Sequence, residues 1–223
     1  MPTRFLLGAS GLAALLLLPG SMSAQHRLTP HPDSRFWIQG DATVRDFTCV
    51  ATGVEGTAVL PDARDSISAE GSSQTKVVVR VPIRSIDCGN SRMTSDLQET
   101  LKMEDHSKIR FELVHATMGG RTDTSAHWRR VDALGPLTVA GTKRLTKLNA
   151  AARALDDAHF RLRGCLPIRM TYFNIDPPSK ALGLIKVKNR VEVQYDLLAR
   201  VDSAGSSAPF DMISQKSPPS CDD

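Results

Sequence analysis

Apolar and polar residues alternate along several stretches of this chain, and this period of two restricts its fold more than any other feature. The alternation is clear at residues 76–84, 109–114 and 191–197. Successive side chains of a β-strand point to opposite faces, so each stretch predicts a strand with one face on a core and one in water. Buried parallel strands show continuous apolar runs instead. The pattern therefore favours an antiparallel barrel or sandwich, without separating the two.

One segment near the middle of the chain departs from this pattern. In residues 91–106 (SRMTSDLQETLKMEDH), Leu97 and Leu101 lie four positions apart, and helix-forming residues dominate. This spacing is typical of a helix that turns one face to a core. Thr94 or Ser95 is expected to cap its start. The sequence thus predicts many strands and one helix.

The first 24 residues are typical of a secretory signal peptide. Arg4 precedes an apolar core at 5–18, and a Pro-Gly pair and small residues follow. An uncleaved membrane anchor is the alternative, but this core of 14 residues is shorter than the roughly 20 that a bilayer span requires. We expect cleavage and export to the periplasm or beyond.

The rest of the chain divides into a short lead-in, one domain and a tail. Residues 25–33 are polar and contain two prolines, which predicts a flexible lead-in. Residues 34–202 show no low-complexity break, which favours a single domain. Residues 203–223 are rich in Ser, Pro and Asp and lack periodicity, so a disordered tail is expected.

Four cysteines, Cys49, Cys88, Cys165 and Cys221, would enter an oxidising compartment on export, where thiols tend to pair. Four cysteines allow three pairings, and counting does not choose among them. We favour Cys49 with Cys88, because both lie in patterned regions whereas Cys221 lies in the polar tail.

Several functional classes find no support in the sequence. The formal charge of +4 is too small to indicate nucleic-acid binding. The histidines lack metal-ligand spacing, and no Cys-x-x-Cys occurs. No Gly-x-Ser-x-Gly elbow or glycine-rich phosphate loop is present either. We therefore expect no metal, no cofactor, no nucleic-acid partner and no catalysis, and the oligomeric state stays open.

An ordered set of motifs is more specific than the periodicity. Along the chain these are 81–90 (VPIRSIDCGN), 106–111 (HSKIRF), 135–144 (GPLTVAGTKR), 170–175 (MTYFNI) and 190–195 (RVEVQY). Their order and spacing resemble the YceI-like family of secreted bacterial proteins. The likeness covers most of the predicted domain.

The resemblance implies an all-β fold, an eight-stranded antiparallel lipocalin-like barrel with one lid helix between strands. Members of the family with a known ligand hold a long isoprenoid chain, such as a polyprenyl quinone or related lipid, inside the barrel. The implied function is non-catalytic sequestration or transport of such a lipid. A structural or protein-interaction barrel with a filled core is the alternative, and an enzyme acting on a lipid head group is a third interpretation. Cys49 together with Cys88 suggests a disulfide-bearing branch of the family.

The candidate ligand-binding residues are the apolar positions of the alternating strands, with two helix residues as a lid. The alternative is that the same side chains fill a solid core. The set comprises Val77, Val79, Val81, Leu97, Leu101, Ile109, Phe111, Leu113, Leu137, Val139, Val191, Val193 and Tyr195.

Two polar residues each have a functional and a structural interpretation. The Tyr195 hydroxyl either bonds a ligand head group or lies in water at the barrel rim. Asp87 either anchors a ligand at the barrel mouth or caps a turn, and we favour the cap.

Basic residues cluster at 143–147, at Arg161 with Arg163, and at 186–190. A solvated strand face is the simpler interpretation. The alternative is a transient contact with anionic lipid head groups at a membrane surface.

Overall fold

Antiparallel strands make up most of the computed structural model. The predicted signal peptide at 1–24 and the predicted tail at 203–223 lie outside the described residues, so both stay predictions. The structure describes residues 26–60, 76–121, 128–156, 159–180 and 185–202.

Within these residues, helix α1 (Ser91–Thr100) follows the sixth of thirteen strands. Short 3-10 turns at Ile83–Ser85 and Met170–Phe173 interrupt the strand sequence. The second turn replaces the end of a predicted strand. The strands are β1 (His26–Pro30), β2 (Arg35–Ala42), β3 (Phe47–Ala51), β4 (Glu55–Leu60), β5 (Lys76–Pro82), β6 (Ile86–Asp87), β7 (Lys108–Glu112), β8 (His115–Arg121), β9 (Arg129–Val139), β10 (Thr142–Ala154), β11 (His159–Arg169), β12 (Ser179–Lys180) and β13 (Ile185–Asp202).

The sheet closes on itself because β1 pairs with β4 on one side and with β13 on the other. The order around the ring is β1, β4, β5, β7, β9, β10, β11 and β13. Four shorter strands continue this ring toward either end: β2 after β1, β3 before β4, β6 after β5 and β8 after β7. The result is an antiparallel eight-stranded barrel, which confirms the predicted fold class.

Ser34 repairs the break between β1 and β2. Its side chain is fully buried. The hydroxyl donates to the Leu198 carbonyl and accepts from the Leu198 amide, each over 3.1 Å. A side chain thus supplies the contacts that backbone pairing would make here, and β1 and β2 follow one path along β13.

The lead-in expected at 25–33 is ordered over most of its length. Residues 27–30 pair with 199–202 of β13, and 26–28 pair with 58–60 of β4. The polar composition of this segment suggested flexibility, yet the strand is defined by backbone hydrogen bonds to partners far along the chain. Composition does not reveal such pairings.

Two glycine-containing pairs expected to form turns lie inside strands instead. Gly119 and Gly120 belong to β8, and Gly135 and Pro136 belong to β9. At Gly135 a Cβ atom would overlap the Glu112 carbonyl oxygen. The glycine therefore serves a close approach of two backbones and not a change of chain direction.

Helix α1 begins one residue after Asn90, whose side-chain oxygen accepts a hydrogen bond from the Met93 amide at 3.1 Å. Thr94 and Ser95, the expected caps, lie inside the helix, so that prediction was wrong. The helix also ends earlier than predicted, because Lys102 adopts a left-handed backbone conformation with φ 56°.

A disulfide joins Cys49 on β3 to Cys88, just before α1. Cys49 is fully buried in a core cluster that includes Ile83 and Ile86. The barrel wall is thereby covalently connected to the base of the lid helix. Cys165 is disulfide-bonded as well.

Removing the first disulfide should destabilise the fold strongly. The two cysteines are 39 positions apart, and a crosslink over such a loop stabilises by about 4 kcal/mol in the chain-entropy model. We expect the double variant Cys49→Ala/Cys88→Ala to lose about this much, measured by urea unfolding. Because the variant retains Cys165, it isolates this crosslink, which chemical reduction would not. A loss below about 1 kcal/mol would contradict the prediction.

Candidate functional site

The barrel encloses a cavity of about 910 Å³. Small-molecule sites in proteins generally have volumes of about 300–1,000 Å³. An interior filled by its own side chains, the alternative drawn from the sequence, predicted no ligand-sized space. The structure therefore favours the hollow barrel.

All thirteen candidate residues predicted from the alternation line this cavity. Eleven belong to the strands and adjoining backbone, and Leu97 and Leu101 reach it from α1 and its C-terminal end. Their part in binding a ligand stays a prediction. They are Val77, Val79, Val81, Leu97, Leu101, Ile109, Phe111, Leu113, Leu137, Val139, Val191, Val193 and Tyr195.

A similar number of apolar wall residues were not among the candidates. On β11 the lining residues Leu162, Leu166 and Ile168 occupy every second position apart from Gly164. The same period of two was thus present there, interrupted by a glycine. Others, including Phe36 and Ile38 on β2 and Leu148 on β10, line the cavity as well.

Tyr195 is buried in the wall, so neither sequence interpretation of its hydroxyl holds. The hydroxyl donates to the Asn149 carbonyl over 2.9 Å. Its ring lies beside Gly164, where a Cβ atom would overlap the hydroxyl oxygen. Burial raises the pKa of Tyr195, so the phenol stays protonated and keeps this donor engaged with the wall.

Asp87 caps a turn, as favoured from the sequence. Its carboxylate accepts from the Gly89 amide at 2.9 Å and from the Thr94 hydroxyl at 3.2 Å. Asp87 does not line the cavity. The interpretation as a ligand anchor at the mouth is therefore wrong.

The other polar lining groups gather at one end of the cavity, which we call the mouth. It lies between the β2–β3 loop and the start of α1. The strand directions place β12 and the β9–β10 turn at this same end. The mouth residues are Val44, Arg45, Asn90, Arg92, Met93 and Asp96.

This arrangement of a hollow antiparallel barrel with a helix at one end matches a known family. The model of the YceI-like domain matches residues 31–199. The chain belongs to the YceI-like family. None of the curated proteins matches it in sequence.

Two solved structures share the fold of this YceI-like protein. Burkholderia cenocepacia BcnA is 14% identical, with a TM-score of 0.56, over 74% of this chain and 95% of the other. A polyisoprenoid-binding domain from Saccharophagus degradans, implicated in plant cell wall breakdown, is 10% identical, with a TM-score of 0.59, over 78% of this chain and 98% of the other. At these identities the likeness shows the fold alone.

Two searches of the described residues returned nothing. They contain no group of three or more His, Cys, Asp or Glu side chains arranged to hold a metal ion. They also contain no helix of sufficient length and hydrophobicity to cross a membrane.

Gly164 should be intolerant of a side chain. We expect Gly164→Ala to destabilise this YceI-like protein by about 1–3 kcal/mol, because the new methyl group and the Tyr195 hydroxyl would claim the same space. Gly120→Ala is the matched control, since a Cβ there meets nothing within 4 Å, and it should change stability by less than about 0.5 kcal/mol. Urea unfolding measures both. Equal stability of the two variants would mean that Tyr195 does not lie over Gly164.

Proposed function

We propose that this protein binds one long isoprenoid-like lipid inside its barrel and sequesters or carries it without chemical conversion. The closed cavity with its almost wholly apolar wall is the observation that carries the proposal. Each methylene group buried there contributes about 0.8 kcal/mol without needing a directional partner. A hydrocarbon chain therefore suits this wall better than a polar metabolite does.

The length of the cavity also favours a chain-like ligand. Along β13 its lining residues run from Val187 to Leu197. At about 3.3 Å per residue this is roughly 30 Å of strand, or about 25 Å along the axis of a barrel with ordinary strand tilt. A volume of about 910 Å³ distributed over such a length describes a narrow tube.

The absence of catalysis is part of the proposal. Of the polar lining groups, Tyr195 is already engaged with the wall, and the other four lie at the mouth. A lipid chain in the tube would meet no candidate nucleophile along the wall. An enzyme acting on the head group would need its acid, base and nucleophile to meet at the mouth.

We further propose that the protein works in the periplasm or outside the cell. The signal-like segment at 1–24 supports export. The disulfide between Cys49 and Cys88 is consistent with an oxidising compartment.

We propose that the mouth end touches a membrane when the lipid is exchanged. Val44, Leu145 and Tyr172 are large apolar side chains exposed at this end. The Arg144 guanidinium lies 5.3 Å from the Tyr172 ring centre and donates to the Tyr172 carbonyl. Lys186 is exposed beside the β2–β3 loop. Apolar side chains among cations suit an anionic bilayer surface.

One basic cluster considered for this contact is not available for it. Arg161 donates twice to Asp196, over 2.7 and 2.6 Å, and Arg163 donates to the same carboxylate over 3.1 Å. All three side chains are largely buried. These arginines neutralise a carboxylate on the barrel wall and do not face a lipid surface.

Filling the tube should abolish lipid binding. Ala150 lines the cavity, and Ala150→Phe places a ring in it. We expect organic extraction and mass spectrometry of the purified wild type to yield a long-chain lipid, and the variant to yield little. Asn149→Phe is the control, because the Asn149 side chain is exposed on the same strand. A wild-type protein that is empty and takes up no added isoprenoid would overturn the proposal.

A charge at the mouth should weaken the membrane contact. Val44 and Val114 are equally exposed, at 69%, but only Val44 lies at the mouth. We expect the wild type to co-sediment with phosphatidylglycerol vesicles and to be released as salt rises. Val44→Asp should bind several-fold less, whereas Val114→Asp should behave as the wild type. Equal loss in both variants, or binding that ignores salt, would count against this contact.

A further inference from the structure

We propose that the mouth binds a phosphorylated head group of the lipid between Arg45 and Arg92. The inference rests on the proposed lipid-binding function and adds the chemical class of the ligand. A neutral alcohol or quinone head would have no use for two cations, whereas an isoprenoid phosphate would.

The first observation is where charge occurs in the lining. The wall between the strands is apolar except for Tyr195, whose hydroxyl is held by the Asn149 carbonyl. All of the formally charged lining side chains, Arg45, Arg92 and Asp96, belong to the mouth. A lipid inserted tail first would therefore leave its head beside these groups.

The second observation is that both guanidinium groups are available. Within the part of the chain that the structure describes, neither Arg45 nor Arg92 forms an ion pair, and both are exposed. Other cations at this end are already paired. Lys188 contacts Asp41 over 2.9 Å, and Arg190 contacts Glu192 over 3.1 Å.

The charge balance favours a phosphate over a carboxylate. Arg45 and Arg92 against Asp96 leave the mouth lining with an excess of one positive charge. A phosphate monoester carries about −1.5 to −2 at pH 7 and offers three acceptor oxygens. A fatty-acid carboxylate carries −1 and offers two. The planar fork of a guanidinium also matches phosphate geometry with two parallel hydrogen bonds.

The flanking groups define the rest of this head-group site. Asn90 lines the mouth, and its side-chain oxygen is used by the Met93 amide. The amide nitrogen of Asn90 is by its chemistry a further donor. Apolar Val44 and Met93 border the same opening, so the first carbons of the chain pass between them into the tube.

The test compares three probes that separate head from tail. Farnesol and farnesyl phosphate share one chain, and inorganic phosphate has the head alone. Binding is measured by displacement of the neutral fluorophore N-phenyl-1-naphthylamine and by calorimetry. At low salt we expect the wild type to bind farnesyl phosphate about tenfold more tightly than farnesol, as two exposed charge-assisted contacts allow. This preference should shrink in 0.5 M salt (about a 4 Å Debye length).

The variants assign the preference to the two arginines. Arg45→Gln/Arg92→Gln should bind farnesol as the wild type does but should no longer prefer the phosphate. Arg121→Gln is the control, since Arg121 is exposed at the far end of β8 and does not line the cavity. It should retain the full preference. A double variant that keeps the preference would overturn the assignment to these residues.

The remaining outcomes separate this inference from the proposed function. Equal wild-type affinity for farnesol and farnesyl phosphate would reject the head-group site and leave lipid binding intact. Failure to bind either chain would reject both. Inorganic phosphate competing as well as farnesyl phosphate would show a site for the free anion and reject recognition of a lipid head.

Discussion

Closure of the sheet through β1 is the constraint on which the rest of the structure depends. Because β1 pairs with both β4 and β13, each of the eight ring strands has a hydrogen-bonded neighbour on either side. Backbone donors and acceptors are then satisfied along the ladders. The wall can therefore be apolar on its inner surface and stand without a plug of side chains behind it. Two stacked sheets would lack this freedom, since their inner faces must interdigitate to form a core.

The closed wall also sorts polar groups by position. Inside, the Tyr195 hydroxyl is tolerated because Gly164 leaves it room to reach the Asn149 carbonyl. On the outer side, Asp196 is neutralised by two arginines of β11. Unpaired charge is thereby left to the mouth, where water reaches it and the cost of desolvation is small. A lipid with a charged head and a hydrocarbon tail fits this division of the surface, with one end wet and the other dry.

Much of the wall could be predicted because alternation is a local property. Ile109, Phe111 and Leu113 face one side of their strand whatever the partner strand is. Prediction failed where a distant partner decides the outcome. The segment at 26–30 became a strand through pairing with β4 and β13, and Gly135 proved to be a close contact with β7. The mouth was missed for the same reason, since Arg45 and Arg92 are far apart in sequence and meet only through the fold.

The amino-acid sequence by itself determined which side chains share a face, where the single helix lies and which cysteines are in patterned regions. These features depend on neighbours one to four positions apart, and backbone geometry translates them directly into structure. Only the tertiary structure decided that the shared face surrounds a cavity. An identical alternation serves a filled sandwich equally well. The difference lies in the register of 27–30 against 199–202, which joins the two ends of the domain and so turns a sheet into a tube.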